Sequence, residues 1–339
     1  MIDMLSAYFD ILAGKKKPRF HALRSRDTGL NRLDLEGADA GVLWEVHDAA
    51  LDGLAAGVRE KSSRPDNANL LELKQAISRR LLSSCNFCER RCGAKRTSGK
   101  TGTCGVPVRS RYASEFFHFG EEAELVPSHT IFFTGCNFSC VYCQNHDIAT
   151  SPAAGSVADP ASLARSIDRG RERGSRNVNF VGGNPDPHLH TCLDIISLLR
   201  SDVPVVWNSN AYASREAMKL LGGAVDIYLS DFRYGDNGCA EEYSDVPEYW
   251  ETVTRNLLLS YRQAELMLRH LVLPGHLDCC TAPIMAWVAR NLPGVRFNLM
   301  FQYRPEHEAH LHPGIDRSLT AEETVRARSL ARDYGIKAA

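Results

Sequence analysis

Cys136, Cys140 and Cys143 stand in the run Gly-Cys-Asn-Phe-Ser-Cys-Val-Tyr-Cys-Gln-Asn, a C-x3-C-x2-C spacing. Thiolates are soft ligands that suit iron–sulfur clusters and zinc. Three of them on one loop can hold three irons of a [4Fe–4S] cluster and leave the fourth iron to a non-protein ligand. An open position is what lets a metal centre do chemistry rather than only hold a fold. The structural alternative is a zinc knuckle, which would draw a fourth ligand such as His118 or His146. A second group, Cys85, Cys88, Cys92 and Cys104, is spaced C-x2-C-x3-C-x11-C. Four ligands make a closed site, either an auxiliary [4Fe–4S] cluster or structural zinc.

These ligands need elements to position them. The apolar run Thr130-Ile-Phe-Phe-Thr134 leads straight into Cys136 and reads as a strand. Five more candidate strands follow: Asn177–Val181, Val203–Trp207, Val225–Leu229, Ala264–Leu271 and Val295–Phe301. Helical stretches lie between them, one opened by Asp159-Pro160 and a last one by the capping box Thr320-Ala-Glu-Glu323. Strands alternating with helices predict an α/β fold with a parallel sheet, whose functional loops sit at the carboxyl ends of the strands. Residues 1–80 carry no cysteine and read as helical, with apolar positions at helical period over 42–55 and 70–81 and loops at 15–18 and 61–65. The expected division is a helical region 1–80, a Cys-rich metal-binding segment 84–108 and a sheet-bearing unit 128–339.

The strand ends carry the other candidates. Gly182 and Gly183 let the backbone approach a ligand closely. Asn208, Ser209 and Asn210 offer donors and acceptors for a ribose or a carboxylate. Asp231 and Arg233 are two apart and so point the same way from a strand. They suit the amine and carboxylate of an amino acid, or they pair with each other. Arg269 starts buried and demands an anionic partner. His270 and His276 read as structural, and the scattered Cys192, Cys239, Cys279 and Cys280 as packing residues or inert thiols.

Composition narrows the class. With 40 basic and 41 acidic residues the net charge is −1, which gives no electrostatic case for nucleic acid or an anionic membrane. No apolar stretch reaches the roughly 20 residues that span a bilayer. The start Met1-Ile-Asp-Met-Leu lacks a basic region and does not read as a signal peptide. Eleven cysteines, most of them clustered, then point to metal in a reducing, cytoplasmic setting rather than to disulfides.

Together with Cys85-Asn-Phe-Cys-Glu-Arg-Arg-Cys92, Gly120-Glu-Glu122, Cys143-Gln-Asn145, Asp226-Ile-Tyr-Leu-Ser-Asp231, Arg269-His-Leu-Val-Leu-Pro-Gly275 and Met300-Phe-Gln-Tyr-Arg-Pro305, these motifs make residues 84–310 resemble the radical S-adenosylmethionine (SAM) superfamily. Within it they resemble an uncharacterised branch related to pyruvate formate-lyase activating enzymes. The resemblance implies an open partial (βα)6 barrel. It implies that SAM chelates the open iron through its amine and carboxylate. Reductive cleavage then gives methionine and a 5′-deoxyadenosyl radical that abstracts hydrogen. It puts the cluster on Cys136, Cys140 and Cys143 and the adenine at the backbone of Tyr142. Gly182 and Gly183 face the methionine amine, Asn208 and Ser209 reach the ribose or carboxylate, and Asp231, Arg233 and Arg269 flank the methionine part.

Two positions depart from the family pattern. Asn184 stands where the glycine motif commonly ends in Glu, and a neutral amide accepts more weakly from an ammonium. Arg233 stands where activating enzymes usually have Lys. The implied activity is glycyl-radical installation on a partner enzyme. Radical modification of a small molecule, lipid or other protein is the alternative, and a non-catalytic Fe–S or zinc protein is the reading from another class. The implied partners are an electron donor such as flavodoxin or ferredoxin and a protein substrate, with no nucleic acid and no membrane.

Overall fold

The computed structural model describes residues 5–57 and 65–337. Of the loop expected at 61–65, all but Pro65 lies outside the described residues. Among the described residues there are ten strands: β1 (Asp27–Asn31), β2 (Asn67–Asn69), β3 (Arg111–His118), β4 (Ser128–Phe133), β5 (Ser156–Val157), β6 (Asn177–Gly182), β7 (Val205–Ser209), β8 (Ile227–Asp231), β9 (Glu265–Leu271) and β10 (Arg296–Met300). β1 and β2 make a small antiparallel ribbon. The other eight form one sheet in the order β10-β9-β8-β7-β6-β4-β3-β5.

Within that sheet β4 and β6 to β10 are parallel and follow chain order. They are the six strands that the apolar runs predict. β3 runs antiparallel to β4, and β5 antiparallel to β3. The outer strands β10 and β5 do not pair, so the sheet curls into a barrel that stays open.

Among the described residues twelve α-helices accompany the strands. The N-terminal region holds α1 (Ser6–Leu12), α2 (Phe20–Ser25), α3 (Ala40–Ala55) and α4 (Leu70–Leu81). The crossovers hold α5 (His146–Ala149), α6 (Pro160–Glu172), α7 (Leu189–Leu198), α8 (Arg215–Leu221), α9 (Asn237–Ser244), α10 (Tyr249–Gln263) and α11 (Ala282–Asn291), and α12 (Ala321–Asp333) closes the chain's order. The expected starts are present. Asp159 accepts from the Ser162 amide ahead of Pro160, and Thr320 and Glu323 cap each other's amides. Among the described residues no helix is long and apolar enough to cross a membrane.

Side chains alternate across each strand, so every second residue faces the barrel lumen. At the amino ends of the strands the lumen is apolar: Val206, Ile227, Leu229 and Met267 cluster with Leu5, Tyr8 and Leu125. α1 fills this end. Glu265, first in β9, accepts from the amides of Ala7 at 2.8 Å and Tyr8 at 3.0 Å. Tyr8 accepts in turn from Asn177 Nδ2 at 3.0 Å, at the start of β6. Further along, the Arg19 amide donates to Asp226 at 2.9 Å, and Arg24 donates to the carbonyls of Ile196 and Leu199. The N-terminal region therefore closes the end of the barrel opposite the strands' carboxyl ends.

That placement makes a prediction. Glu265→Ala orphans two helix amides and costs about 1–3 kcal/mol, read as a lower urea midpoint. Bound iron stays unchanged, because the lost contact lies at the far end from the cysteine loop. A variant with wild-type stability would mean that α1 does not depend on this carboxylate.

Candidate active site at the carboxyl ends of the parallel strands

The cysteine loop begins where β4 ends. Gly135 turns the chain at φ +83°, and a Cβ there would lie 2.9 Å from the Cys104 carbonyl oxygen. The two cysteine segments therefore abut at this point. The end of β6 lies directly on the same backbone. A Cβ on Gly182, at φ +124°, would sit 2.2 Å from the Phe133 nitrogen, and one on Gly183 2.2 Å from the Gly135 oxygen. The amides of Gly183 and Asn184 donate to the carbonyls of Phe133 at 2.9 Å and Gly135 at 3.1 Å. The close neighbour of these glycines is the backbone entering the cysteine loop.

Hydrogen-bond donors converge on the loop's sulfurs. Cys140 is buried, and its Sγ accepts from Arg233 Nη1 at 3.0 Å and Ser244 Oγ at 2.9 Å. Cys136 Sγ accepts from the Phe138 amide at 3.4 Å. Behind Ser244 stands a line of hydroxyls: Tyr142 donates to Tyr234 at 2.7 Å, and Tyr234 meets Ser244 at 2.6 Å. Burial pushes the Cys143 thiol up to about 11, and the nearby Cys140 adds to it. Burial pushes the Cys136 thiol up further, with Cys140 and Cys143 both contributing. With their thiols raised in this way, Cys136 and Cys143 ionise readily only if a cation compensates them. That donor set and its amide, hydroxyl and guanidinium donors fit an iron–sulfur cluster.

The lumen next to the loop is charged. Arg233 Nη2 pairs with Asp231 Oδ2 at 2.8 Å, and Arg269 Nε with Asp231 Oδ1 at 2.9 Å. Arg269 also reaches Asn208 Oδ1 at 2.6 Å and Glu121 Oε2 at 3.0 Å. Glu121 Oε1 then accepts from Asn179 and Asn208, each at 3.2 Å. Burial alone would raise the Asp231 carboxyl, but Arg269 and Arg233 together hold it below its ordinary value. Glu121 has weaker help: burial raises it, and Arg269 only partly offsets this. Glu122 Oε2 and Asn179 Oδ1 are buried without a hydrogen-bond partner. Both oxygens remain able to accept from a polar ligand.

The structure sorts the sequence candidates. Asn208, Asp231, Arg233 and Arg269 come together beside Cys140. Ser209 is adjacent to Asn208 on one strand and so faces the other side, where its hydroxyl accepts from the Ala211 amide at 3.2 Å. Asn184 is buried behind the loop. It donates to Asn137 Oδ1 at 2.9 Å, as Asn210 does at 2.8 Å, so two side-chain amides brace the residue after Cys136. Tyr142 points its hydroxyl into the line toward Ser244. Sequence reasoning missed Glu121, Tyr234 and Ser244 as site residues. Only Glu121 left a trace, in the Gly120-Glu-Glu122 motif.

The second cysteine group is also gathered. Burial raises the Cys88 thiol, with Cys104 and Cys85 adding to it. Cys88 bridges in antiparallel fashion to Ala213, just past β7. The buried Arg96 donates to the carbonyls of Pro187 at 2.7 Å and Pro107 at 2.6 Å, and approaches Cys85 Sγ at 3.9 Å.

The sequence profile of the radical SAM superfamily matches residues 130–288, the stretch from β4 to α11. The chain belongs to the radical SAM superfamily and is a radical SAM enzyme. It is 44% identical over 310 residues to an uncharacterized protein of Methanocaldococcus jannaschii, covering 89% of this chain and 90% of that one. Among solved structures it is similar to SuiB of Streptococcus suis bound to S-adenosylmethionine, with 12% identity and a TM-score of 0.46, over 59% of this chain and 45% of SuiB. The matched part is thus under half the length of SuiB. It is also similar to a domain of pyruvate-formate lyase-activating enzyme from Bacteroides vulgatus, with 18% identity and a TM-score of 0.38, over 48% of this chain and 97% of that domain. Membership of the superfamily implies a [4Fe–4S] cluster, SAM and an electron donor.

Proposed function

We propose that Cys136, Cys140 and Cys143 hold the cluster and that SAM occupies its open iron. The observation that carries this reading is the pair of donors on Cys140 Sγ, joined through Arg233 to Asp231 and Arg269. It sets the proposed cluster ligand beside the charged group of Asp231, Arg233 and Arg269. Bound there, cluster and SAM together supply reductive carbon–sulfur cleavage and hydrogen-atom abstraction.

The chain's own residues bind and orient. Asp231, Arg233 and Arg269 flank the methionine part, Asn208 serves the ribose or carboxylate, and the backbone at Tyr142 meets the adenine. The Gly182–Gly183 backbone receives the amine. Asn184, committed to Asn137 and Asn210, holds the turn after Cys136 in place. Cys85, Cys88, Cys92 and Cys104 hold an auxiliary [4Fe–4S] cluster in a segment that adjoins the first at Gly135. Residues 1–80, 84–108 and 128–339 then act as floor, electron-relay segment and reactive barrel.

The open sheet edge suits a large substrate, and installation of a glycyl radical on a partner enzyme is the activity we infer. A low-potential one-electron donor such as flavodoxin or ferredoxin feeds it. Anaerobically reconstituted chain with dithionite and SAM is expected to release methionine and 5′-deoxyadenosine in equal amounts. Absence of 5′-deoxyadenosine from iron-replete protein overturns the SAM-site assignment.

A further inference from the structure

Three cysteines that are scattered in the sequence meet in space. Cys239 lies in the first turn of α9, where the Asp236 carboxylate caps its amide at 2.8 Å. His276, Cys279 and Cys280 follow β9, the last two in a π-helical turn Leu277–Thr281. Positions i, i+3 and i+4 share one helical face, and a π-turn is often kept at a functional site. Among the described residues, Cys239, His276, Cys279 and Cys280 are the group of Cys, His, Asp or Glu whose ligand atoms all lie within 4.8 Å of one another.

The distances define what fits. Cys239 Sγ lies 3.7 Å from Cys279 Sγ and 3.7 Å from His276 Nδ1, and His276 Nδ1 lies 3.2 Å from Cys279 Sγ. A tetrahedral zinc ion, with bonds of about 2.3 Å to sulfur and about 2.0 Å to nitrogen, sets its sulfurs about 3.8 Å apart and each sulfur about 3.5 Å from the nitrogen. A four-iron cube spreads its cysteine sulfurs wider than that. Cys280 is buried and the other three ligands are half-buried, so the site is shielded but reachable. We propose that Cys239, His276, Cys279 and Cys280 bind one zinc ion in a closed Cys3His site, separate from both cysteine motifs.

The site would brace the reaction centre from behind. The connection from β8 to α9 carries Arg233 before Cys239, and α9 ends at Ser244. Both Arg233 and Ser244 donate to Cys140 Sγ. Between them Gly235 lies flat on the turn after β9: a Cβ there would sit 2.3 Å from the Cys279 oxygen and 2.7 Å from the Cys280 Cα. A zinc ion joining Cys239 to that turn fixes the segment that presents both donors.

The test is metal analysis and zinc X-ray absorption on the full chain, purified anaerobically from zinc-supplemented cells. Wild type is expected to hold one zinc that survives dialysis, with three sulfur ligands and one nitrogen. Cys239→Ser and His276→Asn should each cut zinc at least fivefold while iron stays constant, which also reports that the variants are folded. Because the Cys85 group also offers four thiols, zinc is measured again in a Cys85→Ser/Cys88→Ser chain, where it should persist. Zinc absent from wild type, zinc unaffected by Cys239→Ser, or a Cys239–Cys279 disulfide found by mass each overturns the proposal. Iron in place of zinc, lost in Cys239→Ser, overturns the choice of metal.

Discussion

Cys140→Ala is expected to cost the chain about four irons and to abolish 5′-deoxyadenosine formation from SAM. Of the three sulfurs, that of Cys140 is the one shown accepting from two side chains, Arg233 and Ser244. Removing it takes away a proposed ligand and leaves a half-buried guanidinium and a buried hydroxyl without their acceptor. Cys85→Ala gives the control, since on the two-cluster reading it removes a similar amount of iron and leaves SAM-binding residues untouched.

Arg233→Met grades the effect. It keeps all three thiolates but removes a charge-assisted hydrogen bond worth about 1.5–3 kcal/mol, which is roughly ten- to a hundredfold in rate. Loss of a positive charge beside the sulfur also makes the reduced cluster harder to reach, so its potential should fall. Iron content, product formed and midpoint potential check all three statements. Full iron and full product in Cys140→Ala would sink the ligand assignment.

The second large effect falls on stability. Arg269→Met strands the lumen carboxylate of Glu121, which it now pairs at 3.0 Å, and leaves Asp231, now paired with it at 2.9 Å, to Arg233 alone. Breaking a buried ion pair in this way costs about 3–5 kcal/mol. The loss should depend on pH in a definite direction. Glu121 is already raised by burial, and without Arg269 it rises further; Asp231 loses the larger of the two charges that lower it. A carboxyl raised in the folded state keeps its proton after the unfolded chain has lost its own, so stability falls as pH rises past the unfolded value. The gap between variant and wild type should therefore widen from pH 5.5 to pH 8 in urea titrations. Glu121→Gln added to Arg269→Met removes one stranded charge and should recover part of the loss. A gap that narrows with pH would mean that water or another cation already solvates these carboxylates.

β7 and β8 were legible because they are buried on both faces and open on apolar runs, Val205-Val-Trp207 and Ile227-Tyr-Leu229, whereas β6 and β10 set polar residues at alternate positions. The strand ends were less so. β7 and β8 extend two residues beyond the apolar runs, through Asn208-Ser209 and Ser230-Asp231. Of these, Asn208 and Asp231 face the lumen, where Glu121 and Arg269 satisfy them from distant parts of the chain. β3 escaped notice because its side chains are half-buried on both faces and show no alternation.

The two cysteine motifs announced themselves by local spacing. The third group did not, since Cys239 and Cys279 are 40 positions apart and meet only because β8 and β9 are neighbours. The pattern His276-x2-Cys279-Cys280 was the signal available. Asn184 illustrates the opposite case. Its type suggested a weakened amine acceptor, and only the positions of Asn137 and Asn210 show what its amide is engaged with.

The floor of the barrel has a consequence in time. Glu265 holds the Ala7 amide across 258 positions of sequence. During synthesis at about 5–20 residues per second, α1 waits roughly 10–50 s for its acceptor to be made. Throughout that interval the apolar cluster that Tyr8 joins lacks Met267, its contribution from β9. α1 therefore leaves the ribosome well before its dock is complete, and a nascent chain stays vulnerable to chaperone capture or aggregation until β9 has emerged.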